Sequence, residues 1–302
     1  MNANRELRIA SRASQLARIQ AKLVGTALKQ HFPNQIITYV PVTTAGDRSA
    51  QVGNLPPKNK DEFVREIEAL VLNNEADVAV HSMKDLPSKT PDDLTVQSVL
   101  QREDPRDVLL GQENLFCLDP DTKIGTSSPR RRALMNFRSK SRNIAFLRGN
   151  VETRLRKLEN GEYDAIVLAA AGLHRLKLRS LIGTYLDPSI FTPAPCQGTL
   201  AVEFRGNDVQ VASTFAFLQN TRVEAATICE REIVRALNAD CNAPVGIYCE
   251  DLGNEYVLHA IVLNSAGSET LEIRTHDQDP VRLASNVATS LIAMGVDELL
   301  RS

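Results

Sequence analysis

The feature that most limits how this chain can fold is a β/α alternation that runs in two blocks. In the first block Leu7–Ala10 reads as a short strand. Ser14 can cap a helix whose apolar residues Leu16, Ile19, Leu23, Val24 and Leu28 recur at helical spacing. The β-branched run Ile36–Val42 reads as a strand, Asp61–Asn73 as an amphipathic helix and Asp77–His81 as a buried parallel strand. Leu94–Leu100 and Val108–Gly111 are extended, with the polar connector Arg102–Asp107 between them. The alternation then restarts with strand Lys123–Gly125, helix Pro129–Phe137, strand Asn143–Leu147 and helix Val151–Asn160. Strand Tyr163–Leu168, helix Ala169–Leu176 and the extended run Leu200–Phe204 follow. Strands alternating with helices imply sheets with right-handed crossovers. The two blocks are joined twice, near 94–111 and 196–204. That predicts a hinged pair of α/β domains with a cleft, in which ligands sit at the carboxyl ends of strands.

From Thr221 the pattern changes. Val223–Leu237 reads as a helix, Pro244–Glu250, Tyr256–Val262 and Thr270–Thr275 as strands, and Pro280–Met294 as a final helix. The expected fold class is α/β, with two such domains followed by a small α+β domain built on a three-stranded antiparallel sheet. The boundaries are 1–99 with 200–218 for the first domain, 100–199 for the second and 219–302 for the third.

Composition removes several function classes. No apolar run approaches the ~20 residues of a membrane helix, and Met1 to Arg8 lacks the apolar core of a secretory signal. A cytoplasmic protein with no membrane partner is expected. The five cysteines, Cys117, Cys196, Cys229, Cys241 and Cys249, fit no CxxC metal or redox spacing, so no metal is expected. Net charge is −2, yet Lys123 to Lys157 holds eleven Lys/Arg against the single acid Glu152. Such a cluster attracts anions. Only Phe137 and Phe146 interleave it, too few platforms for stacking bases, so nucleic acid is not the expected partner.

Four constellations could carry chemistry. His81-Ser82-Met83-Lys84-Asp85 follows a buried strand, where an acid beside a base can hold a cation and steer a proton; a turn cap explains the same residues. Gly125-Thr126-Ser127-Ser128-Pro129-Arg130-Arg131 lies at a strand-to-helix junction. Backbone N–H groups and hydroxyls there make an anion site, and the arginines bind carboxylates in pairs; capping alone also accounts for the hydroxyls. Arg148-Gly149-Asn150 with Arg154 repeats that placement, and Arg175 ends the next unit. Arg12, after the first strand of the other block, would face these arginines across the cleft. Cys241 lies in a loop between a helix and a strand, as an exposed or a structural thiol.

The order of these motifs resembles the porphobilinogen deaminase family over nearly the whole chain. The resemblance runs through RIASRAS at 8–14, DVAVHSMKDLP at 77–87, REDPRD at 102–107 and GTSSPRR at 125–131. It continues through LRGNVETRL at 147–155, GEYDAIVLAAAGLHRL at 161–176 and the Cys241 loop. It implies two periplasmic-binding-protein-like domains and a small third one, acting as a monomer that joins four porphobilinogen molecules and releases a linear tetrapyrrole. Cys241 matches the thioether attachment site of a dipyrromethane cofactor, and Asp85 the catalytic carboxylate. Asp47, Lys84, Asp85, Thr126, Ser128, Arg130, Arg131 and Gly149 match cofactor-contacting positions. Arg12, Ser14, Arg148, Arg154, Arg175 and Gln197 match positions that bind acetate and propionate groups. Lys60 and Phe63 belong to a lid, Ala50–Glu62 being read as a loop.

The chain departs from the family at three places. Gln15 replaces a frequent Pro, Pro195-Cys196 precedes Gln197 where small or apolar residues are usual, and the lid has Pro56-Pro57 in place of glycines. A rival reading is a non-enzymatic two-domain binder of a polycarboxylate. It predicts no covalent adduct and leaves Cys241 and the Lys84-Asp85 pair unexplained.

Overall fold

The computed structural model describes residues 6–52, 63–139, 143–239 and 243–301. Cys241, Lys60 and most of the expected lid lie outside them. The chain divides into two compact units, Met1–Glu103 with Thr199–Glu224, and Asp104–Gly198 with Ala225–Ser302. No helix among the described residues is long and apolar enough to cross a membrane.

In the first unit the strands are β1 (Leu7–Arg12), β2 (Ile37–Val42), β3 (Val78–Ser82), β4 (Leu94–Val99) and the returning β10 (Leu200–Arg205), in the order β2-β1-β3-β10-β4. β1 pairs parallel with β2 and β3, whereas β10 runs antiparallel to both β3 and β4. The sheet is therefore mixed, because the returning chain is inserted into it rather than added by a crossover. Helix α1 (Gln15–His31) is capped by Ser14, whose Oγ accepts from Ala17 N. Its buried face is Ala17, Gln20, Ala21, Val24, Gly25 and Leu28. Leu23, expected in the stripe, is 42% exposed; the small residues let the helix lie close to the sheet. Helix α2 (Ala45–Val52) corrects the loop reading at its start. Thr44 and Asp47 exchange backbone-to-side-chain bonds of 3.2 Å each, a capping box that starts this helix. Helix α3 (Arg65–Leu72) buries Ile67 and Val71 against Ala10 and Ala79 on one sheet face. Val24 and Leu28 pack on the other with Val78, Val80 and Val202.

The second unit carries β5 (Asp107–Leu110), β6 (Ile124–Thr126), β7 (Ile144–Phe146), β8 (Ala165–Ala169) and β9 (Thr184–Tyr185), in the order β7-β6-β8-β5-β9. Here β6 is parallel to β7 and β8, and β5 is antiparallel to β8 and β9. Helices α4 (Pro129–Arg138), α5 (Val151–Glu159) and α6 (Ala170–Arg175) follow successive strands. Helix α7 (Val209–Ala216) belongs to the first unit, where Val211 and Phe215 join its core. Helix α8 (Thr221–Ala236) packs Ala226, Cys229 and Ile233 on the third sheet. That sheet is antiparallel and consists of β11 (Val245–Asp251), β12 (Tyr256–Leu263) and β13 (Thr270–Asp277), covered by α9 (Pro280–Ala293) and α10 (Val296–Arg301). The period-two alternation of β12 serves two cores. Leu258, Ala260 and Val262 join the core under this sheet's own helices, and Ile261 and Leu263 join Leu134 of α4 and Phe191 in the core of the second unit's five-stranded sheet.

Candidate functional site

The parallel strands β1 and β3 deliver two chain ends to the same edge of the first unit. After β1 comes Ser14 and the N-terminus of α1; after β3 comes the tight turn Met83–Asp85. A hollow at this edge is lined by Arg12, Ser14, Gln20, Phe63, His81 and Asp85, among others. The turn bearing Lys84 and Asp85 is pinned at its start, where Met83 N donates to Thr199 O at 3.0 Å. Ser82 Oγ meets the Gln20 amide at 2.9 Å. Both features hold the half-buried Asp85 at the hollow without using its carboxylate. Arg12 lies 4.5 Å over the Phe63 ring and forms a two-point ion pair with Asp47. Burial would raise the Asp47 carboxyl, but Arg12 and Thr44 outweigh it and hold it below the usual range. Arg12, Ser14, Phe63 and Asp85 are thus brought together, and Asp47 joins them through Arg12.

In the second unit the arginines gather on one carboxylate that sequence reasoning missed. Ser128 caps α4, accepting from Arg131 N at 3.4 Å, and Pro129 occupies the first turn. Thr126 Oγ1 accepts from Ser128 N at 3.2 Å, so both hydroxyls shape the junction. Arg130 and Arg131, 4% and 6% exposed, both donate to Asp107 at 2.7 Å. The Gln197 amide adds a bond of 2.9 Å to the same carboxylate. Asp107 is wholly buried. Desolvation pushes its carboxyl up, but Arg130 and Arg131 prevail and keep it well below the ordinary range. One carboxylate for two guanidiniums leaves a buried excess of positive charge. Arg130 Nε is itself buried with no acceptor among the described residues. A carboxylate bound beside the pair would offset that excess charge, so the charge of these residues fits a polycarboxylate cofactor.

The other basic positions hold the loops around this pair. Arg148 is buried at the end of β7. Arg154 donates to Gly149 O at 2.8 Å and Ser127 Oγ at 3.3 Å, and Arg175 to Gly198 O at 2.6 Å. Cys196, beside Gln197, takes the left-handed conformation at φ 59°, with its N–H on the buried Glu230. Gly149 has φ 116°, and a Cβ there would stand 2.8 Å from Thr153 Cγ2. Gly149→Ala is expected to cost ~1–3 kcal/mol of stability through backbone strain, read as a lower denaturant midpoint. An unchanged midpoint would show that the loop adapts. Asp107 carried one signal in the sequence: it opens the apolar run Val108-Leu109-Leu110, where an acid must be paired if it is buried.

Comparison with known proteins finds two family profiles and several relatives that match along the chain. The profile for "Porphobilinogen deaminase, dipyromethane cofactor binding domain" matches residues 7–213, and that for "Porphobilinogen deaminase, C-terminal domain" matches residues 225–293. Proteins named porphobilinogen deaminase from Xanthomonas euvesicatoria pv. vesicatoria, Xanthomonas axonopodis pv. citri and Xanthomonas oryzae pv. oryzae are each 38% identical over 298 residues. The matches cover 97% of this chain and 98% of each relative.

Proposed function

The chain belongs to the porphobilinogen deaminase family, and from that premise we propose how its residues divide the reaction. It is a transferase of tetrapyrrole biosynthesis. It condenses four porphobilinogen molecules head to tail, with loss of ammonia, on a covalently bound dipyrromethane cofactor, and releases hydroxymethylbilane. The reading of a binder without chemistry is set aside. The observation that supports the division of roles is the buried pair Arg130 and Arg131 sharing the single carboxylate of Asp107, which leaves an excess of positive charge.

When bound, the cofactor supplies the free pyrrole position to which the first incoming ring is joined. Cys241 holds it through a thioether. Arg130 and Arg131 take its carboxylates, with Thr126, Ser128 and Gly149 shaping their approach and Asp47 and Lys84 as further contacts. Arg12, Ser14, Arg148, Arg154, Arg175 and Gln197 receive the acetate and propionate groups of the incoming substrate and growing chain. For Arg12 this means exchanging part of its bond to Asp47 for a substrate carboxylate. The Asp85 carboxylate assists the departure of ammonia from porphobilinogen. It then stabilises the positive charge left on the substrate's exocyclic carbon and pyrrole nitrogen, an electrostatic role that needs a fixed anion. Lys60 and Phe63 belong to a lid that keeps water from the reactive carbon. The free thiols Cys117, Cys196, Cys229 and Cys249 fit a reducing, cytoplasmic compartment, and we take the protein to act as a monomer.

Intact mass of the purified protein tests the scheme. A two-pyrrole adduct is expected on the wild-type chain and none on Cys241→Ser, which is expected to lose all turnover. An active, unmodified wild-type chain would overturn the assignment of Cys241.

A further inference from the structure

Outside the groups assigned above, the second unit holds a hydroxyl–imidazole–carboxylate row. His259 stands on β12 in phase with Ile261 and Leu263, at the point where their apolar face turns polar. Its Nε2 lies 2.8 Å from Glu272 Oε1 on β13, and its Nδ1 lies 3.0 Å from Thr192 Oγ1. Thr192 is wholly buried, and its carbonyl accepts a bond of 2.6 Å from Arg130. The same stretch is fastened to β11. Ile247 N donates to Pro193 O at 3.1 Å, and a Cβ on Gly246 would meet Thr192 O at 2.8 Å. Glu272, His259, Thr192, Arg130 and Asp107 therefore form one continuous row between the third sheet and the arginine pair. Thr192 is no nucleophile, because its hydroxyl has no exposed surface through which to reach a substrate.

We propose that His259 is a positioning residue for the anion site, setting through Thr192 the angle at which Arg130 meets a carboxylate of the dipyrromethane. The proposal rests on the assignment of Arg130 to that cofactor. With a neutral imidazole, Nε2–H donates to Glu272 and Nδ1 accepts the Thr192 hydroxyl proton. The hydroxyl then has one orientation, and the Thr192 carbonyl is held on Arg130. A second proton would put an N–H on Nδ1, facing Thr192 Oγ1 and, at 3.2 Å, Pro188 O. The hydroxyl would lose its acceptor and turn. The titratable and charged groups around the ring are Glu272 and Arg274 on β13, Tyr248 directly opposite on β11 and, through Glu272, Arg138 on α4. Burial lowers the imidazole below its ordinary value, helped by Arg274 and opposed by the bond to Glu272. The neutral, aligned form is therefore the one present at neutral pH, and its alignment is lost as pH falls through that lowered value.

The test follows loading of the apo-protein with porphobilinogen by intact mass. Thr192→Val should slow appearance of the two-pyrrole adduct about fivefold at pH 7, the worth of one net hydrogen bond. Thr192→Ser should restore the wild-type rate. Arg130→Lys should also slow loading, and adding Thr192→Val to it should slow it no further, since both changes act on one contact. His259→Asn, whose amide oxygen can take the Thr192 proton and does not titrate, should keep most of the rate at pH 7. The wild type should load more slowly on acidification, and His259→Asn should lose the part of that fall that His259 causes. Wild-type loading in Thr192→Val with only a lower melting temperature would make the row a structural staple and overturn the proposal. So would full additivity with Arg130→Lys. A wild-type chain that gains no adduct would instead overturn the cofactor assignment on which the proposal stands.

Discussion

Asp85→Asn is expected to lower turnover of porphobilinogen by about a hundred- to ten-thousand-fold, the range for losing a positioned acid or base. The folded chain should be nearly as stable as the wild type, because polar changes at half-exposed positions typically alter stability by about 0.5 kcal/mol or less. Met83 N is tied to Thr199, just before β10, and Ser82 to Gln20, so the turn keeps its place without the Asp85 charge. Asparagine keeps the volume and one acceptor oxygen but cannot oppose a positive charge. A carboxylate that served only as a turn cap would give the reverse pattern, with unchanged turnover and a lower melting temperature. Steady-state turnover and thermal unfolding of the same preparation decide between the two, and near wild-type turnover would remove Asp85 from the mechanism.

That turn was legible in the sequence because everything that builds it is local. The apolar run before His81 is a buried strand, and its end is where a ligand-facing residue belongs. Ser14 and Ser128 were legible as caps for the same reason, and both accept from the N–H three residues on. Helix α2 was missed although its capping box was present as Thr44-Ala45-Gly46-Asp47. Gly46 and the short apolar content hid a helix whose support comes from Arg12 and Glu66, which bonds Ala45 N at 2.7 Å. The mixed sheets were missed because alternation predicts crossovers but says nothing of where a returning strand inserts, as β10 does between β3 and β4. The pairing of Asp107 with Arg130 and Arg131 spans more than twenty residues and depends on β5 lying beside β8. No spacing rule reaches that far. Likewise His81 and Glu203 meet at 3.1 Å inside the first unit only because β10 is inserted next to β3.

Asp107→Asn is expected to be the most destabilising single change in the second unit. Removing one partner of a buried ion pair typically costs ~3–5 kcal/mol, because the remaining charge is left in a medium that cannot solvate it. Here two guanidiniums would be stranded. The Asp107 carboxyl is depressed in the fold, so the stability it contributes is fully present above the unfolded carboxylate range and is lost as pH falls through the folded value. The difference between wild type and variant should therefore be constant from neutral pH down to the ordinary carboxylate range and shrink only in stronger acid. Cofactor loading adds a second, sharper expectation. If Arg130 and Arg131 hold carboxylates of the dipyrromethane, those carboxylates replace part of the missing counter-charge. The loss of stability must then be smaller in the loaded protein than in the apo-protein, since a ligand that binds the folded state better in the variant restores it. Denaturant midpoints of the four species, wild type and variant with and without the two-pyrrole adduct, measure this directly. An equal loss in loaded and apo forms would mean that the arginines serve Asp107 alone and that the cofactor's carboxylates are held elsewhere.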